Sequence, residues 1–177
     1  ISLWEDKEKE CFSNFLHGKI KSAVDNGKIR LNDSVKRFLI NGKFPLIITT
    51  FGVPVIERDL ELGEGASVWY NPNRRNDLPF ESDNNARIVY HIFGGETNST
   101  WAYNEQSLLR IVHSLHSEDY GAKNLYGILR KHGNEDARRL LVLGASMPNW
   151  LFRFFIYPMF GEELKNERGY WLSLDNI

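Results

Sequence analysis

The chain has 177 residues, 42% of them hydrophobic and 25% charged, with a formal net charge of −1. That length and balance predict one globular domain over residues 1–177 with a core of its own. The near-neutral charge offers no global attraction to nucleic acid or an anionic membrane, no apolar run approaches the roughly 20 residues that span a bilayer, and no signal-peptide pattern opens the chain.

The first predicted element is a long amphipathic helix over residues 4–25, because Phe12, Leu16, Ile20 and Val24 recur four apart with Phe15 and Ala23 beside them. Cys11, the one cysteine, rules out an internal disulfide framework, fits a reducing cytosol and reads as a core filler on this helix. The chain opens on Ile rather than Met, which reads as a fragment of a longer protein. Asn26-Gly27 closes the helix, and Asn32-Asp33-Ser34 supplies caps for a shorter one through Val35, Phe38, Leu39 and Ile40, ending at Asn41-Gly42. Phe44-Pro-Leu-Ile-Ile-Thr-Thr50 then reads as a strand apolar on both faces, the pattern of a central parallel strand.

Gly63, Gly65, Pro72 and Pro79 predict loops between Gly52 and Asn85, broken only by a short strand over Ala66–Tyr70. Arg87–Phe93 is a second β-rich run ended by Gly94-Gly95, and Ser99–Tyr103 reads as a short edge strand. Asn104 caps a helix whose Leu108, Ile111, Val112 and Leu115 follow the i, i+3, i+4, i+7 rule. A further helix over residues 124–131 and a strand over Leu140–Leu143 follow, then an apolar helix from Pro148 to Tyr157 and a last strand over Tyr170–Leu174. Alternating helices and strands predict an α/β fold with Phe44–Thr50, Arg87–Phe93 and Leu140–Leu143 as neighbouring, mainly parallel strands.

The run Leu140-Leu-Val-Leu-Gly-Ala-Ser-Met-Pro-Asn-Trp150 breaks an apolar strand at Gly144 and restarts as a helix. In open α/β sheets, ligands sit beyond the carboxyl ends of the strands, where turn backbone and free helix N–H groups meet a phosphate or ribose. Ser146 stands where an N-cap belongs, and Pro148 suits the first helical turn.

Four blocks in this order, Phe44–Thr50, Val89–Gly95, Tyr103–Leu109 and Leu141–Trp150, are similar to those of bacterial sirtuin-like (silent information regulator) domains. The resemblance covers roughly residues 35–157 and marks this chain as a divergent, degenerate member. It implies a Rossmann-like, doubly wound, three-layer fold and an NAD or ADP-ribose ligand, contacted at Thr49, Thr50, Gly144, Ala145, Ser146 and Asn149. Stand-alone bacterial members are commonly NAD-cleaving effectors of anti-phage defence. Here, however, Phe51 and Val53 occupy the family's usual Asn and Asp positions, and Phe93 occupies that of its catalytic histidine. A phenyl ring neither accepts a proton nor polarises a ribose hydroxyl. The family's Gly-rich phosphate loop is not found at the opening helix and either lies upstream of Ile1 or does not exist, and Asn149 replaces a common Asp.

His91 is the candidate replacement. Strand periodicity puts it on the face of Phe93, about 7 Å away, either directed at a cofactor or as a satisfied strand histidine. His113 and His116 have a spacing able to share a metal, but without flanking carboxylate or cysteine partners they read as solvated and no metal is expected. Arg74-Arg75 and Arg138-Arg139 are isolated pairs beside acids, so direct nucleic-acid binding is not expected.

Three functional readings follow from these residues. The leading one is a domain without turnover that senses nucleotide or mediates assembly, with other domains of the same protein or further copies as partners. The second is an active NAD glycohydrolase using His91. The third is an interaction platform without nucleotide.

Overall fold

The structure is a computed structural model that describes residues 6–42, 44–63, 65–74, 87–95, 100–117, 121–131, 141–143 and 170–172. The chain divides into two compact units, Ile1–Gly121 and Ala122–Ile177.

The first unit opens with α1 (Asp6–Asp25) and α2 (Asp33–Gly42). The inward side of α1 holds buried Ser13 and Val24 and half-buried Leu16, His17, Ile20 and Ala23, so the stripe that hydrophobicity predicts holds at Leu16, Ile20, Ala23 and Val24 and fails at Phe12 and Phe15. Phe12 and Phe15 are 47% and 62% exposed, and Cys11 is exposed rather than a core filler. Two of the inward positions, Ser13 and His17, are polar, so an apolar-periodicity count passes over them. In α2 the Asn32 side chain accepts the N–H of Ser34 at 2.9 Å, the expected cap. Only Leu39 of that helix is fully buried.

Three strands form one parallel sheet: β1 (Leu46–Thr49), β2 (Ser67–Trp69) and β3 (Ile88–His91), in the order β1-β3-β2. The fold is thus α/β with a small parallel sheet. Among the described residues the central strand is β3, whose four residues are all buried, whereas β1 lies at an edge and is mostly half-buried. Because Ile88 and Tyr90 are buried as well as Val89 and His91, both faces of β3 are covered. A one-turn helix, α3 (Val55–Asp59), follows β1 where loops were predicted. Pro54 precedes it, and its five residues are too few for a helical period to register. Val55 and Ile56 pack with Val24, Val53 and Val89 into one buried cluster, flanked by Ile20, Ile29, Leu31, Ile47, Leu60 and Leu62.

α4 (Glu105–Leu115) closes the described part of the unit as the pattern predicts, with Ile111, Val112 and Leu115 buried. Asn104 and Ser107 cap it reciprocally: the Asn104 side chain accepts the Ser107 N–H at 2.8 Å, and the Ser107 hydroxyl accepts the Asn104 N–H at 3.0 Å. Asn104→Ala is expected to lower stability by about 1 kcal/mol, within the range of lost caps. An unchanged urea midpoint would show that Ser107 and water replace the cap. The edge strand expected over Ser99–Tyr103 is not formed at 101–103. The Ala102 N–H instead donates to the Phe93 carbonyl at 3.2 Å, laying that segment over the turn after β3.

The second unit contains α5 (Lys123–Lys131), β4 (Leu141–Leu143) and β5 (Tyr170–Leu172). β4 and β5 pair in parallel as a separate two-stranded sheet. This corrects the expectation that Leu140–Leu143 neighbours the first two strands. Both edges of β3 are already taken, by β1 and β2, and among the described residues β4 pairs only with β5. The expected helix over Pro148–Tyr157 and the turn over Gly144–Asn149 lie outside the described residues.

Candidate functional site at the carboxyl edge of the sheet

Parallel pairing brings the carboxyl ends of three strands to one edge. Thr49 of β1, His91 of β3 and Trp69 of β2 are in-register neighbours, so their side chains share a face. Ser67 lies on that face too, one pleat earlier on β2. α3 lies over the same face and sets Glu57 against it. The result is a buried polar chain. The Ser67 hydroxyl donates to Glu57 Oε1 at 2.6 Å, and His91 Nε2 meets the same oxygen at 2.5 Å. On the other side of the ring, His91 Nδ1 donates to the Phe51 carbonyl at 2.6 Å. The Trp69 indole stacks on the imidazole at 3.6 Å between centroids, 13° from parallel. His91 is 0% exposed.

Both ring nitrogens of His91 are therefore committed to acceptors. Burial alone would push the Glu57 carboxyl up, but the His91 hydrogen bond and charge and the Ser67 hydroxyl together hold it below its ordinary value. Glu57 is thus held as the carboxylate, with its Oε1 against the His91 ring. Glu57 Oε2 is buried without a hydrogen-bond partner, so the network is not completely satisfied.

A second carboxylate ties α3 to the segment between α1 and α2. Asp59 Oδ2 accepts the Leu31 N–H at 2.6 Å and Oδ1 accepts Arg58 Nε at 2.8 Å, while Arg58 Nη2 donates to the Ile29 carbonyl at 2.7 Å. Burial pushes the Asp59 carboxyl up, but the Leu31 N–H and the Arg58 guanidinium outweigh it and hold the group below its ordinary value. A carboxyl that is lower in the folded than in the unfolded chain stabilises the fold above its unfolded value, about 4, and loses that contribution as pH falls through the folded value. Both Glu57 and Asp59 act in this direction. Their contribution to the urea midpoint is expected to be level from neutral pH down to about pH 5 and to fall steadily below about pH 4. Glu57→Gln should flatten part of that fall. A midpoint that stays level to pH 3 in the parent chain would contradict the assignment.

The rim of the edge is built from glycines packed against the chain itself. Gly94 and Gly95 follow β3 with φ of +68° and +120°. A Cβ on Gly94 would overlap the Thr100 carbonyl, one on Gly95 the Gly52 backbone, and one on Gly52 the Trp101 indole. From α1, His17 Nε2 donates to the Gly95 carbonyl at 3.0 Å, and its ring meets Trp101 edge-on at 5.3 Å. Helix α1, the turn after β3 and Trp101 are thereby locked together over the strand ends.

Of the residues expected at a site, Thr49, Thr50 and His91 converge on this edge. Thr49 is buried, its hydroxyl accepting the Phe51 N–H at 3.1 Å, and Thr50 is exposed. Gly144, Ala145, Ser146 and Asn149 lie outside the described residues. His113 and His116 are exposed, and no group of potential metal ligands forms among the described residues. Glu57, Ser67, Trp69, His17 and Trp101 were not anticipated. The one available signal was Val53-Pro-Val-Ile-Glu57, in which a proline and paired apolar residues precede an isolated acid. No helix among the described residues is long and apolar enough to cross a membrane. Against protein-family models, curated proteins and solved structures, the chain has no match.

Proposed function

We propose that this chain is a nucleotide-binding domain without turnover, of Rossmann-like, three-layer type, that takes NAD or ADP-ribose and passes its occupancy to other domains of the same protein or to further copies. The observation that supports it is the all-parallel sheet, whose carboxyl edge gathers the Thr49–Gly52 loop and the Gly94-Gly95 turn. Strand ends of this kind are where open α/β sheets hold their ligands. The resemblance to sirtuin-like domains supplies the ligand class and a setting in bacterial defence or signalling. Two features of the residues support the absence of turnover. Phe93 has no acid/base function, and His91 is enclosed with both nitrogens occupied.

Isothermal titration with ADP-ribose and NAD, paired with a nicotinamide-release assay, tests the reading. Binding without release is the expected result. Ser146→Ala should weaken binding several-fold, since one neutral hydrogen bond is worth about 0.5–1.5 kcal/mol. Release that disappears in His91→Ala would replace this reading with an NAD glycohydrolase. Binding of neither ligand would favour an interaction platform, a reading supported by the exposed Phe12, Phe15, Phe38 and Ile40.

A further inference from the structure

We propose that His91 is a proton-operated latch. In its imidazolium form it ties the Phe51 carbonyl, in the loop leaving β1, to the Glu57 carboxylate on α3, and loss of one ring proton frees the loop while the Glu57 bond is kept. This holds whether or not a nucleotide binds.

The proton count comes from the partners. A backbone carbonyl offers only lone pairs, and so does a carboxylate. Glu57 Oε1 also accepts the Ser67 hydroxyl, so the ring supplies both protons of the bridge. The hydrogen-bond and stacking partners of the ring among the described residues include one charged group, Glu57. From α3 comes Glu57, while Arg58 beside it is directed to Asp59 and the Ile29 carbonyl. From β2 come the Ser67 hydroxyl and the Trp69 π face, which favours a cation stacked on it. From β1 comes the neutral Thr49, and Tyr70 reaches the His91 carbonyl through its backbone N–H.

A neutral ring keeps one N–H and has two choices. With the proton on Nδ1, the Nε2 lone pair would face a carboxylate oxygen inside the protein, where solvent does not screen the repulsion. With the proton on Nε2, the Nδ1 lone pair faces only the neutral carbonyl of Phe51, a residue 53% exposed. The second arrangement is the less costly. Deprotonation therefore releases the loop at Phe51, and Gly52, packed under Trp101 and against Gly95, is carried with it. The latch is closed at the acid side of the histidine titration and opens as pH rises.

The test uses the full chain with nitrogen-15 in its histidines, followed by NMR between about pH 5 and about pH 9, the range that spans histidine titration. At the acid end both ring nitrogens of His91 should carry protons. As pH rises, the Nδ1 proton should be lost and the Nε2 proton kept. Over the same range, hydrogen-exchange protection of the Phe51 and Gly52 amides, corrected for intrinsic rates, should fall by about tenfold, the scale of one lost hydrogen bond. Glu57→Gln supplies a second arm. Its amide donates to Nε2, the ring stays neutral with its proton on Nδ1, and loop protection should no longer depend on pH. A His91 ring that is neutral with its proton on Nδ1 throughout would overturn the latch, as would loss of the Nδ1 proton with loop protection unchanged. If Glu57→Gln does not fold, the parent titration alone decides.

Discussion

His91→Leu is expected to destabilise the protein by about 3–5 kcal/mol, because it leaves the Glu57 carboxylate buried without its ring partner. Glu57→Leu should cost less, about 1–3 kcal/mol, since the imidazole is able to shed its proton and keep the Nδ1 bond to Phe51. The double replacement by leucine should fall well short of the sum, because packed apolar side chains of similar volume commonly match a buried ion pair in stability. Urea denaturation of the four proteins at neutral pH gives the coupling directly. Additive effects would mean that the two groups do not act as a pair.

Gly95→Ala is the second large effect. At φ +120° an alanine is held in a backbone region almost restricted to glycine, which costs about 1–3 kcal/mol, and its methyl group would collide with the Gly52 carbonyl. Overpacking against rigid backbone adds about 1–3 kcal/mol. Gly18→Ala is the control. Gly18 lies within α1 with open space around its Cβ position, so the same change should stabilise by about 0.5–1 kcal/mol. Chemical denaturation midpoints that move the same way in both variants would remove the distinction between the two glycines.

Elements governed by local rules were legible from residues alone. Asn104 announced its cap, Leu108 to Leu115 their buried face, and Ile88–His91 a strand. Features decided by distant partners were not. The inward side of α1 includes His17, whose partner is a carbonyl far along the chain at Gly95. No periodicity encodes that. β1 reads as central because its residues are apolar, yet β3 takes the centre. Strand composition reports burial and not rank within the sheet. The candidate site was half visible: His91 drew notice as a histidine in a strand, while its partner Glu57 sits on a single helical turn with no pattern of its own. Ser67 and Trp69 join it only through register with β3, which exists once the sheet is paired.

The order β1-β3-β2 also bears on how the chain comes to be folded. The middle strand is the last of the three to be synthesised, so β1 and β2 leave the ribosome with no partner between them. Until His91 emerges, neither has its parallel neighbour, and both present open edges of the kind that pair with other chains. Assembly of this sheet is thus late and non-local. A nascent chain stopped short of β3 is the species that a chaperone would have to hold.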